Sequence, residues 1–163
     1  MGIILLIIKV LAFVPNALKV ISREQVSYNS ILEIQKLPFH LQEARIKTFP
    51  SAIKKMNKLS IKNPYELYDL IAFRYVFYNK LDLLKFYNHI NTEKKVVYSK
   101  NYIITPKENG YSAIHIRYIN EYLDCPIKQM ECQLYTIEDY YNTLYGNATH
   151  YKYNNLTLSD YLI

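Results

Sequence analysis

The apolar run from residue 69 to residue 78 limits the fold of this chain more than any other segment. It is rich in Ile, Phe, Tyr and Val over a short length, which predicts a buried β-strand. Residues 112–122 alternate with a period of two, and residues 128–135 form a third segment of strand composition. Helical patterns separate these segments. The chain is therefore predicted to form an α/β or α+β sheet covered by helices.

The remaining segments predict shorter or weaker elements. Apolar residues after Pro15 have helical spacing with interruptions, and Pro50 marks the start of a helix that runs to about Lys58. No regular element is predicted for residues 41–47, which are polar and mixed in character. Further helical segments are predicted at 64–67, 81–91 and 136–145, and further short strands at 96–98 and 101–105.

Length and composition predict one domain with a substantial core. The chain has 163 residues, of which 50% are hydrophobic. Residues 1–40 are predicted to form an N-terminal helical segment that packs on a core formed by residues 41–163. The net charge of +6 indicates an anionic partner, such as a nucleotide, an RNA or a membrane surface, although an excess of solvated lysines explains it equally well.

The apolar run at the N-terminus is too short to predict a transmembrane helix. It does not reach the ~20 residues that a spanning helix needs, and Lys9 interrupts it. It lacks a basic leading region, and it is followed by Pro15 and Asn16 instead of a small-residue cleavage site. We therefore expect a buried or partner-facing helix in preference to a weak anchor, and no stable membrane association.

Cys125 and Cys132 are predicted to be free thiols. Their spacing fits neither a Cys-x-x-Cys motif nor a zinc site. Because thiols stay free in a reducing compartment, a cytoplasmic location is expected.

Four residues around Pro50 have the chemistry of a phosphate site, namely Arg45, Lys47, Ser51 and Lys55. The last three are spaced by four, which aligns them beside one helix face. The free N–H groups and the dipole at the start of a helix favour an anion. An exposed basic helix explains the same residues, and taken alone it is the better explanation.

Two carboxylates are predicted to lie on strands. Asp69 begins the first strand, where it must be solvated, paired or bound to a metal. Glu131 alternates with Met130 and Cys132, so it faces the opposite side of its strand. If the two carboxylates are neighbours, they suit Mg²⁺, which prefers carboxylate and phosphate oxygens. Taken alone, a salt bridge between Asp69 and Arg74 is the better explanation for Asp69, and an edge strand that leaves Glu131 in water explains that residue equally well.

Residues 102–115 contain parts that suit a nucleotide. Lys107 supplies charge for a phosphate, Asn109 an amide for a base edge, and Tyr111 an aromatic ring for stacking. Tyr111, His115 and Arg117 are predicted to share one face of the strand that follows, and this combination suits a purine nucleotide. A histidine that is hydrogen-bonded within the core is the alternative for His115.

In their order and spacing, these groups resemble the synthetase domain of the RelA/SpoT family, the alarmone synthetases. The resemblance runs from Arg45 to Tyr153 and rests on five motifs: Arg-x-Lys-x-x-x-Ser with Lys-Met, Asp-Leu-x-Ala-x-Arg, Tyr-Ile-x-x-Pro-Lys-x-Asn-Gly-Tyr-x-Ala-Ile-His, Glu-x-Gln-Leu-x-Thr and Gly-x-x-x-His-x-x-Tyr. Such proteins transfer a pyrophosphate from ATP to the 3′-OH of GDP or GTP and release AMP. The resemblance implies an α+β fold, with a mixed β-sheet flanked by helices and related to nucleotidyltransferases.

On the donor side, the resemblance implies roles for five residues. Arg45 and Arg74 would sandwich the adenine of ATP, and its phosphates would be held by Lys47, Ser51 and Lys55. Positioning and charge neutralisation of this kind are what phosphoryl transfer requires.

At the centre of the site, the resemblance implies that Asp69 and Glu131 bind Mg²⁺. Glu131 would also help to deprotonate the attacking 3′-OH, with support from Gln133. On the acceptor side, Tyr111 would stack on the base, and the nucleotide would be positioned by Lys107, Asn109 and His115.

The sequence departs from the family pattern at three positions. Tyr135 and Asn154 stand where long family members often have Arg and Lys, and Asn101 stands where an Asp is common. The loss of two cations would weaken binding of the acceptor phosphates or change the acceptor.

Two other functions therefore stay open. A toxin-type relative would place the pyrophosphate on the 3′-end of tRNA or on an adenine nucleotide, and the basic charge suits RNA. A catalytically inactive nucleotide-binding module is the other, although such a copy need not keep both carboxylates. The length leaves no room for a hydrolase domain, so a small stand-alone synthetase is expected, and a homo-oligomer is compatible with it.

Overall fold

Five strands form a single sheet in the computed structural model, which describes residues 2–146. The strands are β1 (Phe39–Ile46), β2 (Ile71–Phe77), β3 (Val96–Asn101), β4 (Ile114–Ile119) and β5 (Gln129–Thr136). They lie in the order β1-β2-β5-β4-β3. β2 and β5 are parallel, and every other neighbouring pair is antiparallel. The sheet is therefore mixed, which confirms the predicted α+β class.

The described residues also contain four α-helices: α1 (Gly2–Ile34), α2 (Phe49–Leu59), α3 (Lys80–Glu93) and α4 (Ile137–Tyr145). A 3₁₀ turn spans Pro64–Glu66. Side chains cap α3 and α4, because Asn79 accepts a hydrogen bond from the N–H of Asp82, and Thr136 accepts one from the N–H of Asp139. The predicted helix near Pro50 is confirmed as α2.

Helix α1 is continuous, whereas the sequence predicted interruptions. Pro15 lies inside it, and proline removes one intrahelical hydrogen bond. Beyond Pro15, Ala17, Val20, Tyr28 and Ile31 are buried at helical spacing, so packing on the sheet holds the helix together. No helix in the described part of the chain combines the length and the hydropathy needed to cross a membrane.

One face of the sheet forms the main hydrophobic core under α1 and α3. Tyr28 of α1 packs edge-on against Phe73 and Tyr75 of β2, with ring centroids 5.6 and 5.1 Å away. Phe86 of α3 packs on Tyr75 at 5.1 Å. Cys132 lies in the same core, and it and Cys125 are buried free thiols.

A buried carboxylate ties α1 to the sheet. Glu24 is 2% exposed. It accepts hydrogen bonds from Lys94 at 2.9 Å, Tyr118 at 3.0 Å and Tyr122 at 2.9 Å. These donors come from the end of α3, from β4 and from the loop after β4, so one side chain fixes the helix to three parts of the fold.

Two strand predictions are wrong. Residues 39–46 form β1, although no element was predicted for residues 41–47. No strand covers residues 101–105 as a unit, because β3 ends at Asn101. The Oδ1 atom of Asn101 accepts hydrogen bonds from the N–H groups of Ile103 and Ile104, and this turn ends the strand.

Candidate active site

The face of the sheet opposite α1 carries polar residues from neighbouring strands. Strand register sets Glu43 of β1 beside Arg74 of β2, and Arg117 of β4 beside Glu131 of β5. The N-terminal part of β2 runs parallel to β5, so Ala72 pairs with Glu131. Asp69 lies just before β2, close enough for its negative charge to act on Glu131, although it does not reverse the overall lowering of the pKa of Glu131. The topology therefore brings the two predicted carboxylates close together.

Asp69 is held by two lysines. Its Oδ2 atom accepts hydrogen bonds from Lys47 at 3.0 Å and Lys55 at 2.8 Å. Burial alone would raise the pKa of Asp69, but the bonds from Lys55 and Lys47 outweigh it and hold the pKa below its ordinary value. The predicted convergence of Lys47 and Lys55 beside α2 is therefore present. Ser51 lies apart, exposed in the first turn of α2, where its hydroxyl accepts a hydrogen bond from Thr48.

Glu131 lies on the central strand of the sheet and is 8% exposed. This position excludes the alternative of an edge strand in water. Gln133 donates a hydrogen bond to its Oε2 atom at 2.9 Å, and Nδ1 of His115 lies 3.3 Å from its Oε1 atom. Burial would raise the pKa of Glu131, but the bonds from His115 and Gln133 lower it overall. Glu131 is therefore a carboxylate at neutral pH.

The two carboxylates fit a magnesium ion. The Oδ1 atom of Asp69 is buried and has no hydrogen-bond partner among the described residues. A buried carboxylate oxygen without a donor is costly, and a cation removes that cost. The described residues contain no group of three or more acidic, histidine or cysteine side chains that would hold a metal. Two carboxylates suit Mg²⁺, which takes its remaining ligands from substrate phosphates and water.

Arg45 and Arg74 line one open cleft of about 350 Å³. Arg74 donates a hydrogen bond to Glu43 at 2.8 Å, and its guanidinium carbon lies 5.6 Å from the ring centroid of Tyr135 and 5.5 Å from that of Tyr140. The alternative of a salt bridge between Asp69 and Arg74 is therefore wrong. Asp69 precedes β2 and pairs with the lysines, whereas Arg74 lies within the strand and pairs with its neighbour on β1.

A tight turn fixes the loop that carries Lys107, Asn109 and Tyr111. The N–H of Lys107 donates to the carbonyl of Tyr111 at 3.0 Å, and the N–H of Gly110 donates to the carbonyl of Lys107 at 2.8 Å. Gly110 has a φ of +78°, which favours glycine. Asn142 of α4 donates to the carbonyl of Gly110 at 3.0 Å. The loop is thereby tied to the body of the protein.

Tyr111 precedes β4, yet its hydroxyl lies 2.6 Å from Nε2 of His115. The prediction that the two residues share a face holds in this sense, although Tyr111 is outside the strand. The ammonium of Lys107 lies 4.8 Å from the ring centroids of both Tyr102 and Tyr111. His115 is half-buried and bonded to site residues, so it is not a histidine enclosed in the apolar core.

Tyr68, Tyr98 and Glu43 belong to the site but were not predicted from the sequence. Arg117 lies 4.2 Å from the ring centroid of Tyr68 and 3.9 Å from that of Tyr98, and Lys55 lies 3.7 Å from the ring of Tyr68. Arg117 lies on the same face of β4 as His115, as the alternation predicted. No local pattern marks Glu43, because its role depends on the pairing of β1 with β2.

A comparison with protein families identifies the family of the chain. The family profile described as "Region found in RelA / SpoT proteins" matches residues 44–157. The chain belongs to the RelA/SpoT family. The resemblance seen in the sequence is thereby confirmed. Residues 147–163, which carry the predicted His150 motif and Asn154, lie outside the described residues.

Solved structures show the same fold. A GTP pyrophosphokinase family protein from Streptococcus pneumoniae matches with a TM-score of 0.76 and 16% identity, covering 94% of this chain and 82% of that one. Small alarmone synthetase 2 from Bacillus subtilis matches with a TM-score of 0.72 and 21% identity, covering 90% and 84%. Small alarmone synthetase 1 from B. subtilis, bound to its product pppGpp, matches with a TM-score of 0.67 and 18% identity, covering 91% and 82%. No curated protein matches the sequence significantly.

Proposed function

We propose that this RelA/SpoT protein transfers a pyrophosphate group from ATP to the 3′-OH of GDP or GTP, giving (p)ppGpp and AMP. The observation that carries the proposal is the pair of buried carboxylates, Asp69 and Glu131. Glu131 is joined through Gln133 to the lining of the cleft with two arginines. Through His115 it is joined to the hydroxyl of Tyr111, so it lies beside two places that each suit a nucleotide.

The donor site is proposed on the side of β1 and β2. Arg45 and Arg74 line the cleft there and take the adenine between them, because guanidinium groups stack on aromatic planes. Lys47 and Lys55 already converge on one carboxylate oxygen, so they are placed to move onto the phosphates of ATP. Ser51 adds a hydroxyl and the start of α2 adds free N–H groups.

The acceptor site is proposed on the side of the Tyr111 loop. Tyr111 stacks on the base, while Lys107, Asn109 and His115 position the nucleotide. Small alarmone synthetase 1 from B. subtilis has been solved with its product pppGpp and with AMPCPP, which supports guanine and adenine nucleotides as the two substrates here.

In the proposed reaction, the 3′-oxygen of the acceptor attacks the β-phosphorus of ATP. The new O–P bond forms while the bond between the β-phosphorus and the oxygen that links it to the α-phosphorus breaks. AMP leaves with that oxygen. Glu131 takes the proton of the 3′-OH, and Gln133 and His115 hold its carboxylate in place. Magnesium, when bound by Asp69 and Glu131, supplies positive charge for the phosphates.

The test is a reaction of the purified protein with Mg²⁺ and ATP labelled at the γ-phosphate. Parallel reactions contain GDP, GTP, ATP alone or deacylated tRNA, and chromatography resolves the products. Label in a guanosine tetra- or pentaphosphate is the expected result. Label on none of the acceptors, with ATP still bound, would show an inactive nucleotide-binding module and reject the proposal.

A second candidate is a toxin-type relative that modifies tRNA 3′-ends or an adenine nucleotide. It is favoured by Tyr135, a buried neutral side chain where long family members often have Arg, and by the net charge of +6. Label on tRNA, or on an adenine nucleotide in the tube with ATP alone, would select this candidate.

A further inference from the structure

The hydrogen bonds around Glu131 form a closed ring of five side chains. Tyr135 donates to Oε1 of Gln133 at 3.3 Å, and Gln133 donates to Oε2 of Glu131 at 2.9 Å. Oε1 of Glu131 lies 3.3 Å from Nδ1 of His115, whose Nε2 lies 2.6 Å from the hydroxyl of Tyr111. The hydroxyl of Tyr111 lies 2.8 Å from that of Tyr135, which closes the ring.

Tyr135 is the member of this ring to which neither the sequence motifs nor the proposed reaction gives a role. It is 2% exposed, so its hydroxyl has no access to bulk water and depends on these partners. Its aromatic ring supports the guanidinium of Arg74. One side chain therefore contacts both the acceptor side and the donor side of the site.

We propose that Tyr135 positions both substrates through two different parts of its side chain. The hydroxyl holds Tyr111 for the acceptor, and the aromatic ring holds Arg74 for the donor. This inference rests on the proposed function, in which Tyr111 stacks on the acceptor base and Arg74 stacks on adenine. Tyr135 is a positioning residue, since it acts through these two residues.

The hydroxyl of Tyr135 restricts the direction in which the Tyr111 side chain points. Tyr111 lies in the loop before β4, so the far end of its side chain can move sideways unless it is held. His115 and Tyr135 hold that end from two neighbouring strands, β4 and β5. Without the hydroxyl of Tyr135, one of the two bonds is lost, and the stacking surface is no longer fixed before the acceptor arrives.

The aromatic ring of Tyr135 restricts Arg74. The guanidinium of Arg74 lies within cation–π distance of Tyr135 and Tyr140, and its Nη1 is bonded to Glu43. Its Nε is buried and has no hydrogen-bond partner among the described residues. The ion pair with Glu43 and the two ring contacts therefore orient the guanidinium together, and removal of the Tyr135 ring takes away one of these contacts.

Two variants separate the two parts of the side chain. Tyr135→Phe removes the hydroxyl and keeps the ring, so we expect the KM for the acceptor to rise about 3- to 10-fold while the KM for ATP stays within about twofold. Tyr135→Leu removes both parts, so both KM values should rise. Tyr75→Phe is the matched control, because Tyr75 is a fully buried tyrosine on the opposite face of the sheet, and it should change neither KM.

A second measurement tests whether the hydroxyls of Tyr111 and Tyr135 act through each other. Tyr111→Phe keeps the stacking ring and should raise the acceptor KM as Tyr135→Phe does. The double variant should be no worse than Tyr111→Phe, because the same bond is removed twice. Additive effects would show that Tyr135 acts independently of Tyr111 and would overturn the inference.

Binding measurements separate this inference from the proposed function. Calorimetry should show that Tyr135→Phe raises the dissociation constant for GDP and leaves that for AMPCPP within about twofold. Tyr135→Leu should raise both dissociation constants. If the wild type transfers label to another acceptor, the proposed function is wrong. The effects of the two Tyr135 variants are then measured with that acceptor in place of GDP. Equal changes for donor and acceptor in Tyr135→Phe, or no change in either, would overturn the inference while the function stands.

Discussion

At Asp69, the charge that stabilises the fold is the charge that the proposed reaction uses. The side chain is 8% exposed and its Oδ2 atom accepts two bonds from lysines, while its Oδ1 atom has no partner among the described residues. An ion pair at this depth stabilises the fold only while it is complete. The lysines thus keep Asp69 charged and in place when no cation is bound.

Replacing Asp69 should show how much its charge contributes to the free energy of unfolding, and how that contribution changes with pH. The pKa of Asp69 is lowered in the folded state, so its contribution is fully present above the unfolded pKa of about 3.9 and is lost as the pH falls through the lower folded pKa. Asp69→Asn should reduce the free energy of unfolding by about 1.5–3 kcal/mol at pH 7. Urea titrations from neutral pH downwards should show this difference shrinking below a pH of about 4.

The control for that series is Asp124→Asn. Asp124 forms a solvent-exposed ion pair with Arg23, and exposed pairs contribute little. Its urea midpoint should match that of the wild type at every pH. A difference between Asp69→Asn and the wild type that stays constant down to acid pH would contradict the assignment of Asp69 as a paired carboxylate.

Glu131 carries the chemical step in the proposed reaction, so Glu131→Gln should separate catalysis from binding. Glutamine keeps the shape of the side chain but cannot take the proton of the 3′-OH. We expect the rate of pyrophosphate transfer to fall about 10²- to 10⁴-fold, with AMPCPP still bound in the absence of Mg²⁺. Rapid-quench assays measure the first quantity and calorimetry the second. Unchanged turnover would remove Glu131 from the reaction.

At the scale of elements, helix α1 depends on one buried ion pair with the end of α3. Lys94 is 13% exposed and Glu24 is 2% exposed along their side chains. Lys94→Met leaves Glu24 buried with only phenol donors, so the free energy of unfolding should fall by about 3–5 kcal/mol. Adding Glu24→Gln to that variant should recover part of the loss, because no buried charge remains unpaired.

Urea unfolding of the two variants measures this effect, with Lys128→Met as the control. Lys128 and Glu66 are both exposed and lie 3.6 Å apart, so removal of this lysine should leave the midpoint unchanged. Should the double variant prove less stable than Lys94→Met alone, the pair would not be the unit that holds α1.

The elements found from the sequence are those with a clear signal in their composition or at their first residues. The strand at 71–77 is apolar at almost every position, and α2 has Pro50 in its first turn. β1 was missed because its side chains are partly exposed along its length and include Glu43 and Arg45, which line the site cleft. A strand whose face forms a polar site does not alternate cleanly between apolar and polar residues.

At the scale of the whole molecule, several residues of the candidate site could be named from the sequence, but the way they pair could not. Motif spacing identified Asp69 and Glu131, which lie in different segments of the chain. Their proximity follows from the parallel pairing of β2 with β5, a long-range contact that no local pattern encodes. The pairing of Arg74 with Glu43 and the ring closed by Tyr135 depend on the same strand order.

The whole molecule should also report the donor nucleotide through its stability. A ligand that binds only the folded state at 100 times its dissociation constant adds about 2.7 kcal/mol. For a chain of this length, that amount raises Tm by roughly 5–10 °C.

With AMPCPP and Mg²⁺ we therefore expect a rise in Tm of that size. With the same AMPCPP concentration and EDTA, the rise should be less than half, because the phosphates then meet the charges of Asp69 and Glu131 without a cation between them. Glu131→Gln has one carboxylate fewer. In this variant the rise in Tm with Mg²⁺ and the rise with EDTA should therefore differ by less than in the wild type. Differential scanning fluorimetry measures all four values, and an equal rise with and without Mg²⁺ in the wild type would show that the two carboxylates do not face the donor phosphates.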